Sequence, residues 1–342
     1  MKKKGCILLV LLSCLLTTSC SMEFNSPRQH GDIYLLSIAL DYANTNVTTL
    51  KGTINDSNEL TKAFEENTAR CARNFHGTKF QQAGPLYGTE TLTCPSYPSK
   101  DHLLSYLRQQ ITIASENDLT IISYSGHGDR EKGSWLLGCT DEKTGRTICN
   151  GNINESQLLS PEELFAELSK IPGKKLIISD SCFCGNFIRQ NSTTISKLTA
   201  GNVWKAALEK LYGTDPTYKD DIYVLCATTS DNTSHEPSPL LHDHIHGYFT
   251  KALLEGLGWC DGTKGQLENT IVPSAVQADG IQGKLSDGLP PACDSCNLLT
   301  TDSLYAYIIT HQQIPLSDNG SGTSHQHPMT NGGRSDLILF AY

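Results

Sequence analysis

Cysteine attacks a carbonyl when a neighbouring imidazole can take its proton and later return one to the leaving amine. Two short stretches of this chain offer those groups. Tyr124-Ser-Gly-His-Gly128 carries His127 between two glycines, and Asp180-Ser-Cys-Phe-Cys-Gly185 carries Cys182 two residues beyond an acid. Gly126 and Gly128 let the backbone turn sharply around the histidine. The amides of Gly128 and Cys182 are then candidates for an oxyanion hole. A single cysteine is more often a buried structural thiol, so the paired histidine motif is what argues for chemistry. Cys184, two residues on, is either a plain substitution in the turn or a redox partner of Cys182.

These motifs need elements that bring them together. Leu119–Tyr124 (LTIISY) and Lys175–Ser179 (KLIIS) are apolar runs of strand length, and each runs straight into one motif. Ile33–Leu40 and Ile222–Ala227 read as two more buried strands, and Asp336–Phe340 as a last one. Asn55-Asp56-Ser57 offers an N-cap to a helix over 59–66, and Asp101–Ala114 is a second amphipathic helix. Ser160-Pro161-Glu162-Glu163 is a capping box that opens a third helix through Lys170, and Gly247–Leu257 is a fourth. Gly133–Thr147 reads as a hairpin excursion. Apolar strands alternating with helices predict an α/β fold with a mostly parallel sheet covered on both faces. Ligands of such sheets gather at the carboxyl ends of strands, where both motifs fall. Cys182 lies 55 positions after His127, and the stretch between them holds one helix. A crossover of that kind returns the chain to an adjacent or near-adjacent strand, roughly 5–10 Å away.

The chain has 342 residues, 38% hydrophobic and 18% charged, enough to bury a sizeable core. Its composition excludes collagen, a coiled coil and a disulfide mini-protein. The net charge of −9 becomes −12 without the first 19 residues, which hold three Lys and no acid. Such an acidic surface argues against a nucleic-acid partner. Those 19 residues read as a secretory signal: Lys2 to Lys4, an apolar run Ile7–Leu16, then Thr17, Thr18 and Ser19 before Cys20. A small residue before that cysteine resembles a bacterial lipoprotein processing site, with Thr17 where Leu is usual. A diacylated Cys20 followed by a tether over 20–31 would anchor the protein to a membrane of the bacterial cell envelope, periplasmic or surface, with plain secretion as the alternative. Ten cysteines lie beyond residue 20. Cys139 with Cys149 is an attractive pair across a short hairpin, Cys293-x-x-Cys296 is a weak redox or metal signal, and the connectivity stays open.

Together the two motifs resemble the signature pair of the caspase-like cysteine peptidases, closest to metacaspases and their bacterial relatives. Leu50-Lys-Gly-Thr-Ile-Asn-Asp56 is similar to that family's first strand-to-helix loop. Cys226–Glu236 (CATTSDNTSHE), followed by Gly247-Tyr-Phe-Thr250, is similar to the start of its small-subunit half. The likeness covers residues 32–342: a large-subunit-like part to about 190, a Ser/Thr/Lys-rich linker over about 191–221, and a small-subunit-like part from 222. It implies a three-layer caspase-like sandwich, a His127/Cys182 dyad, and hydrolysis of protein or peptide substrates.

Caspases carry Gln two residues before the nucleophile, where this chain has Asp180. Metacaspases build a pocket for basic side chains from that Asp, an Asp and a small residue on the first loop, and the Ser two before the histidine. The equivalents here are Asp180, Asp56, Thr53 and Ser125. Two carboxylates facing one desolvated cavity repel each other unless a cation enters, and a guanidinium can be held bidentately. The resemblance therefore implies cleavage after Arg, then Lys. Asp56 as a plain helix cap is the competing reading.

The dyad itself requires no cofactor. Many metacaspases need calcium, and Asp129, Glu131, Asp141 and Glu142 are candidates, although their spacing fits no ligand pattern. His242-x-His244-x-His246, with His235 nearby, invites a zinc reading but sits in a loop before a helix. Two other functions compete. A catalytically idle caspase-like module would bind peptides or host proteins, yet the chain keeps both His127 and Cys182. A thiol oxidoreductase using Cys182/Cys184 or Cys293/Cys296 would lack the usual helix-opening CxxC at the first pair.

Overall fold

The computed structural model describes residues 31–43, 47–71, 73–82, 99–140, 147–148, 155–189, 222–237, 244–259, 298–312, 326–330 and 337–341. In chain order the elements are β1 (Ile33–Leu40), α1 (Thr53–Arg70), β2 (Phe75–Gln82), α2 (Lys100–Ile113) and β3 (Leu119–Ser125). Short strands β4 (Trp135–Leu136), β5 (Cys139–Thr140), β6 (Thr147–Ile148) and β7 (Leu158–Leu159) follow. Next come α3 (Pro161–Leu168), β8 (Lys174–Asp180), α4 (Asn186–Arg189), β9 (Ile222–Cys226) and α5 (Tyr248–Gly256). The described chain ends with β10 (Leu298–Thr300), α6 (Thr301–His311), β11 (Met329–Thr330) and β12 (Ile338–Ala341).

The central sheet has the order β11-β9-β8-β3-β1-β2. All its pairings are parallel except β11 with β9. The chain steps from β1 outward to β2, then back across β1 to β3, and onward to β8. Right-handed crossovers therefore place α1 on one face and α2 and α3 on the other. Contacts agree: α1 packs on β1 and β2 and against α5, α5 packs on α6, and α2 packs on α3. This is the three-layer α/β sandwich that the alternating pattern predicts. Every residue of β3 is buried, as is β8 from Lys175 onward, which explains their lack of a polar face. Even Lys175 is buried, and its ammonium turns back to the carbonyls of Ile171 and Gly173.

The register is what matters for the site. Ser125 pairs with Asp180 across β3 and β8. His127 and Cys182 each lie two residues past those partners. Both motifs therefore leave the sheet side by side, about 4.8 Å apart in strand spacing.

Several expectations change. The first helix starts at Thr53 rather than near Glu59, with Gly52 as an N-cap lacking any side-chain cap bond. Its orphan amides are served from far away, because the Glu236 carboxylate accepts from the N–H groups of Lys51 (2.8 Å) and Gly52 (2.7 Å). Asp56 is thus an interior residue of the helix and not its cap. β2 shows no apolar run in the sequence because this edge strand, FHGTKFQQ, carries too many polar residues. The last strand is Ile338–Ala341 and joins β10 in a separate antiparallel pair, preceded by the unanticipated helix α6. The 133–147 excursion does fold back on itself, β5 pairing with β6, while β4 pairs with β7.

The signal, Cys20, the tether, the 191–221 linker, Asp141, Glu142, His242, Cys149, Cys293 and Cys296 lie outside the described residues. Among the described residues no helix is long and apolar enough to cross a membrane.

Candidate active site

The turn after β3 is held by two buried phenols. Tyr42 accepts a hydrogen bond from the His127 N–H (3.0 Å) and donates to the Leu136 carbonyl (2.7 Å). Tyr124 donates to the His127 carbonyl (2.7 Å), and the two hydroxyls lie 2.9 Å apart. The backbone of His127 is clamped at both polar groups. Its ring rests on the Tyr42 ring with centroids 4.6 Å apart. Tyr42 itself sits at φ 57°, a left-handed conformation uncommon for a bulky side chain. Such local strain persists only where surrounding contacts over-determine it.

The imidazole orientation follows from one more bond. His127 Nε2 lies 2.7 Å from the Thr48 carbonyl oxygen, which can only accept. Nε2 therefore carries the hydrogen, and the neutral ring keeps its lone pair on Nδ1. Burial lowers the His127 pKa from its usual value, opposed by the bond to Thr48, so the ring is neutral near pH 7.

Cys182 follows Asp180 and Ser181 at the end of β8. Its Sγ points to the Ser234 carbonyl at 3.8 Å. Burial pushes its thiol up to about 11, with the Ser234 bond opposing it and the nearby Cys184 and Asp180 adding to it. Phe183 takes φ 58° and donates its N–H to the Asn232 carbonyl (2.8 Å), which sharpens the turn behind the sulfur. Gly128 lies directly against the Cys182 carbonyl, so close that a Cβ there would collide with it. Cys184 faces away, fully buried, with Sγ on the Thr228 carbonyl (3.6 Å) and its own carbonyl accepting from Cys226 Sγ (3.1 Å). Cys71, Cys182, Cys184 and Cys226 are all free thiols. Cys184 packs in the core rather than on the cleft.

His127 and Cys182 line one cleft of about 410 Å³, counted to its open mouth, with Thr53, Asp56, Ser125 and Asp180. The structure therefore gathers all four residues expected to form a specificity pocket. Asp180 is buried and held by Ser234 Oγ (2.5 Å), Thr250 Oγ1 (2.7 Å) and Thr250 N (3.1 Å). Burial, with the nearby Asp56 charge, pushes its carboxyl up to about 7. Thr53 is buried with a hydroxyl that has no hydrogen-bond partner.

Asp56 corrects the picture of two bare carboxylates. Its Oδ2 accepts from Ser125 Oγ (2.7 Å), while Oδ1 accepts from His246 Nδ1 (2.8 Å) and the Gly247 N–H (3.2 Å). Burial alone would depress the His246 pKa, but Asp56 and Glu59 outweigh it and hold the imidazole at about 9. The cleft thus contains an acid already paired with a buried cation and a second acid left partly neutral. A sequence window around Asp56 gives no sign of a partner 190 positions away.

Other residues of the cleft carried little local signal. Ser234, His235, Glu236 and Gly247 line it, and Thr250 anchors Asp180 from the first turn of α5. His235 bonds Thr233 Oγ1 (2.9 Å) and stands apart from His244 and His246, which gather instead with Glu59. Of the calcium candidates only Asp129 and Glu131 fall among the described residues. Asp129 spends its carboxylate on the N–H groups of Glu131 (2.7 Å) and Ser134 (2.8 Å), closing its own turn.

Chemically, the arrangement presents an oriented base nitrogen, a buried thiol and acidic groups beside them. The sequence profile described as Caspase domain matches residues 37–272. Among solved structures, the crystal structure of caspase-1 from Spodoptera frugiperda aligns over 91% of this chain and 90% of that chain, at 11% identity and a TM-score of 0.49. No curated protein matches. The profile spans well over half of the chain and includes both motifs and the acids beside them: the chain belongs to the caspase-domain family, whose members are cysteine peptidases.

Proposed function

We propose that this protein is a cysteine endopeptidase of metacaspase type that cleaves after Arg and, less well, after Lys. His127 Nδ1 takes the proton from Cys182 Sγ as the sulfur attacks the scissile carbonyl, because neither group is ionised at rest. The resulting oxyanion develops beside the Gly128 and Cys182 backbone. The imidazolium then protonates the leaving amine, and a thioester remains on Cys182. Water, deprotonated by the same nitrogen, hydrolyses that thioester and regenerates the thiol.

The observation that carries the reading is the β3–β8 register, which sets the two motifs at equal offsets above one acid-lined cleft. A guanidinium entering that cleft would ionise Asp180 and hydrogen-bond it, an interaction a neutral side chain cannot make. The Asp56–His246 pair supports one wall. Hydrolysis of an arginyl-amide reporter, absent in Cys182→Ala, tests the activity, and a positional-scanning peptide library tests the preference. No turnover of any library member, or turnover that survives Cys182→Ala, overturns the proposal.

We further propose export with a lipid on Cys20, on the strength of the basic, apolar and small-residue succession before it. Metabolic labelling with a clickable fatty acid, lost in Cys20→Ala, is the corresponding measurement.

A further inference from the structure

We propose that Glu59, His244 and His246 form a binding site for one divalent transition-metal ion of the zinc class, with Asp56 holding the His246 ring from behind. The three residues come from the middle of α1 and from the segment that leads into α5. Their ligand atoms all lie within 4.8 Å of one another. His244 Nε2 is 2.6 Å from Glu59 Oε1, and His246 Nε2 is 3.3 Å from Glu59 Oε2. Two imidazoles and a carboxylate are a donor set that suits zinc and leaves a further coordination position for water, the entering ion releasing the proton of His246 Nε2 to solvent.

A second observation points to a ligand. His246 Nε2 is buried, its side chain only 4% exposed; it makes no hydrogen bond, and the Glu59 carboxylate faces it at 3.3 Å. A buried ring nitrogen that makes no hydrogen bond and faces a carboxylate at this distance is uncommon and needs an account. His246 Nδ1 donates to Asp56 Oδ1 at 2.8 Å, which fixes the ring and directs Nε2 into the cluster. Ligating histidines ordinarily have such a carboxylate on the other nitrogen. Glu59 is supported in the same manner, since Trp259 Nε1 donates to its Oε2 at 2.7 Å. The His244 side chain is 32% exposed, which gives an ion a route from solvent. Two acids beside the imidazoles also supply the negative charge a dication needs.

The site touches the cleft through one residue. Asp56 accepts from Ser125 with its other oxygen, so a bound ion would fix one wall of the proposed specificity pocket through the His246 ring. The binding claim itself does not depend on peptidase activity, and its test is chosen accordingly.

The full chain carrying Cys182→Ala, stripped with a chelator, is titrated with cobalt(II). The expected result is visible d–d absorption of four- or five-coordinate cobalt that saturates at one ion per chain and is displaced by zinc. Asp56→Asn weakens binding roughly 10- to 100-fold by removing the outer carboxylate. His244→Ala abolishes the absorption, and His244→Gln is read beside it, with thermal unfolding confirming that each variant is folded. Absorption that is missing in the parent, or that survives both His244 substitutions in folded protein, overturns the proposal. So does a sulfur-to-cobalt charge-transfer band in the near ultraviolet, because it would put the ion on cysteine instead.

Discussion

Replacing Gly128 with Ala tests whether the histidine turn and the cysteine turn are packed as one unit. A Cβ at Gly128 would lie about 1 Å inside the 3.0 Å that such atoms keep from any heavy atom, and the atom it meets is the Cys182 backbone carbonyl. Backbone on a strand end cannot rotate aside as a flexible side chain does. Relief therefore requires the two turns to separate by about that distance. Overpacking of this kind costs about 1–3 kcal/mol of stability. A misplacement of about 1 Å between reacting groups costs about 100-fold in rate. The assay measures kcat and KM separately on an arginyl-amide reporter, with thermal unfolding and iodoacetamide labelling of Cys182 alongside. The expected pattern is a fall of about 100-fold in kcat, a smaller change in KM, and a lowered Tm. Wild-type kcat and Tm in Gly128→Ala would refute the reasoning, because the methyl would then have found room that the packing denies it.

Asp180→Asn should reduce kcat/KM for an arginyl reporter about 30-fold, the equivalent of about 2 kcal/mol for a hydrogen bond to a charged group, while leaving a neutral reporter's already slow turnover little changed. Wild-type KM for arginyl substrates should fall as pH rises through about 7, since the Asp180 carboxyl is neutral below that value and charged above it; a KM that stays flat over that range contradicts the assignment. Because burial holds Cys182 as a thiol up to about 11, its alkylation rate should climb about tenfold per pH unit between neutrality and that value. A labelling plateau already reached below pH 7 would instead reveal a preformed thiolate–imidazolium pair. Tyr42→Phe leaves the His127 N–H without its buried acceptor, while the Leu136 carbonyl keeps the Tyr124 hydroxyl at 3.1 Å, and should lower stability by about 1–3 kcal/mol, read by urea unfolding, together with kcat. Unchanged unfolding in Tyr42→Phe would mean that water or a neighbouring hydroxyl replaces the lost oxygen.

Much of the architecture is written locally. Ile33–Leu40, Leu119–Tyr124 and Lys175–Ser179 are mostly apolar and show no alternation because a strand covered on both faces has no solvent side, and the structure places each within a residue or so of that reading. The Ser160 box is equally local, and its two reciprocal bonds form as the spacing implies. Edge strand β2 and strand β10 show no local signal because their residues answer to neighbours elsewhere in the chain and not to a period of their own. The same limit applied at the site. Asp56 reads equally well as a cap or as a pocket wall, and only folding decides, by bringing Glu236 to the helix start and His246 to the carboxylate.

The amino-acid sequence determined by itself that a histidine and a cysteine would stand at the carboxyl ends of buried parallel strands, since apolar runs and the residues that end them are local properties. The tertiary structure alone decided the electrostatics between them. Whether an acid is bare, capped or paired depends on side chains that meet across 190 positions, and such contacts leave no periodicity in the chain for a reader to find.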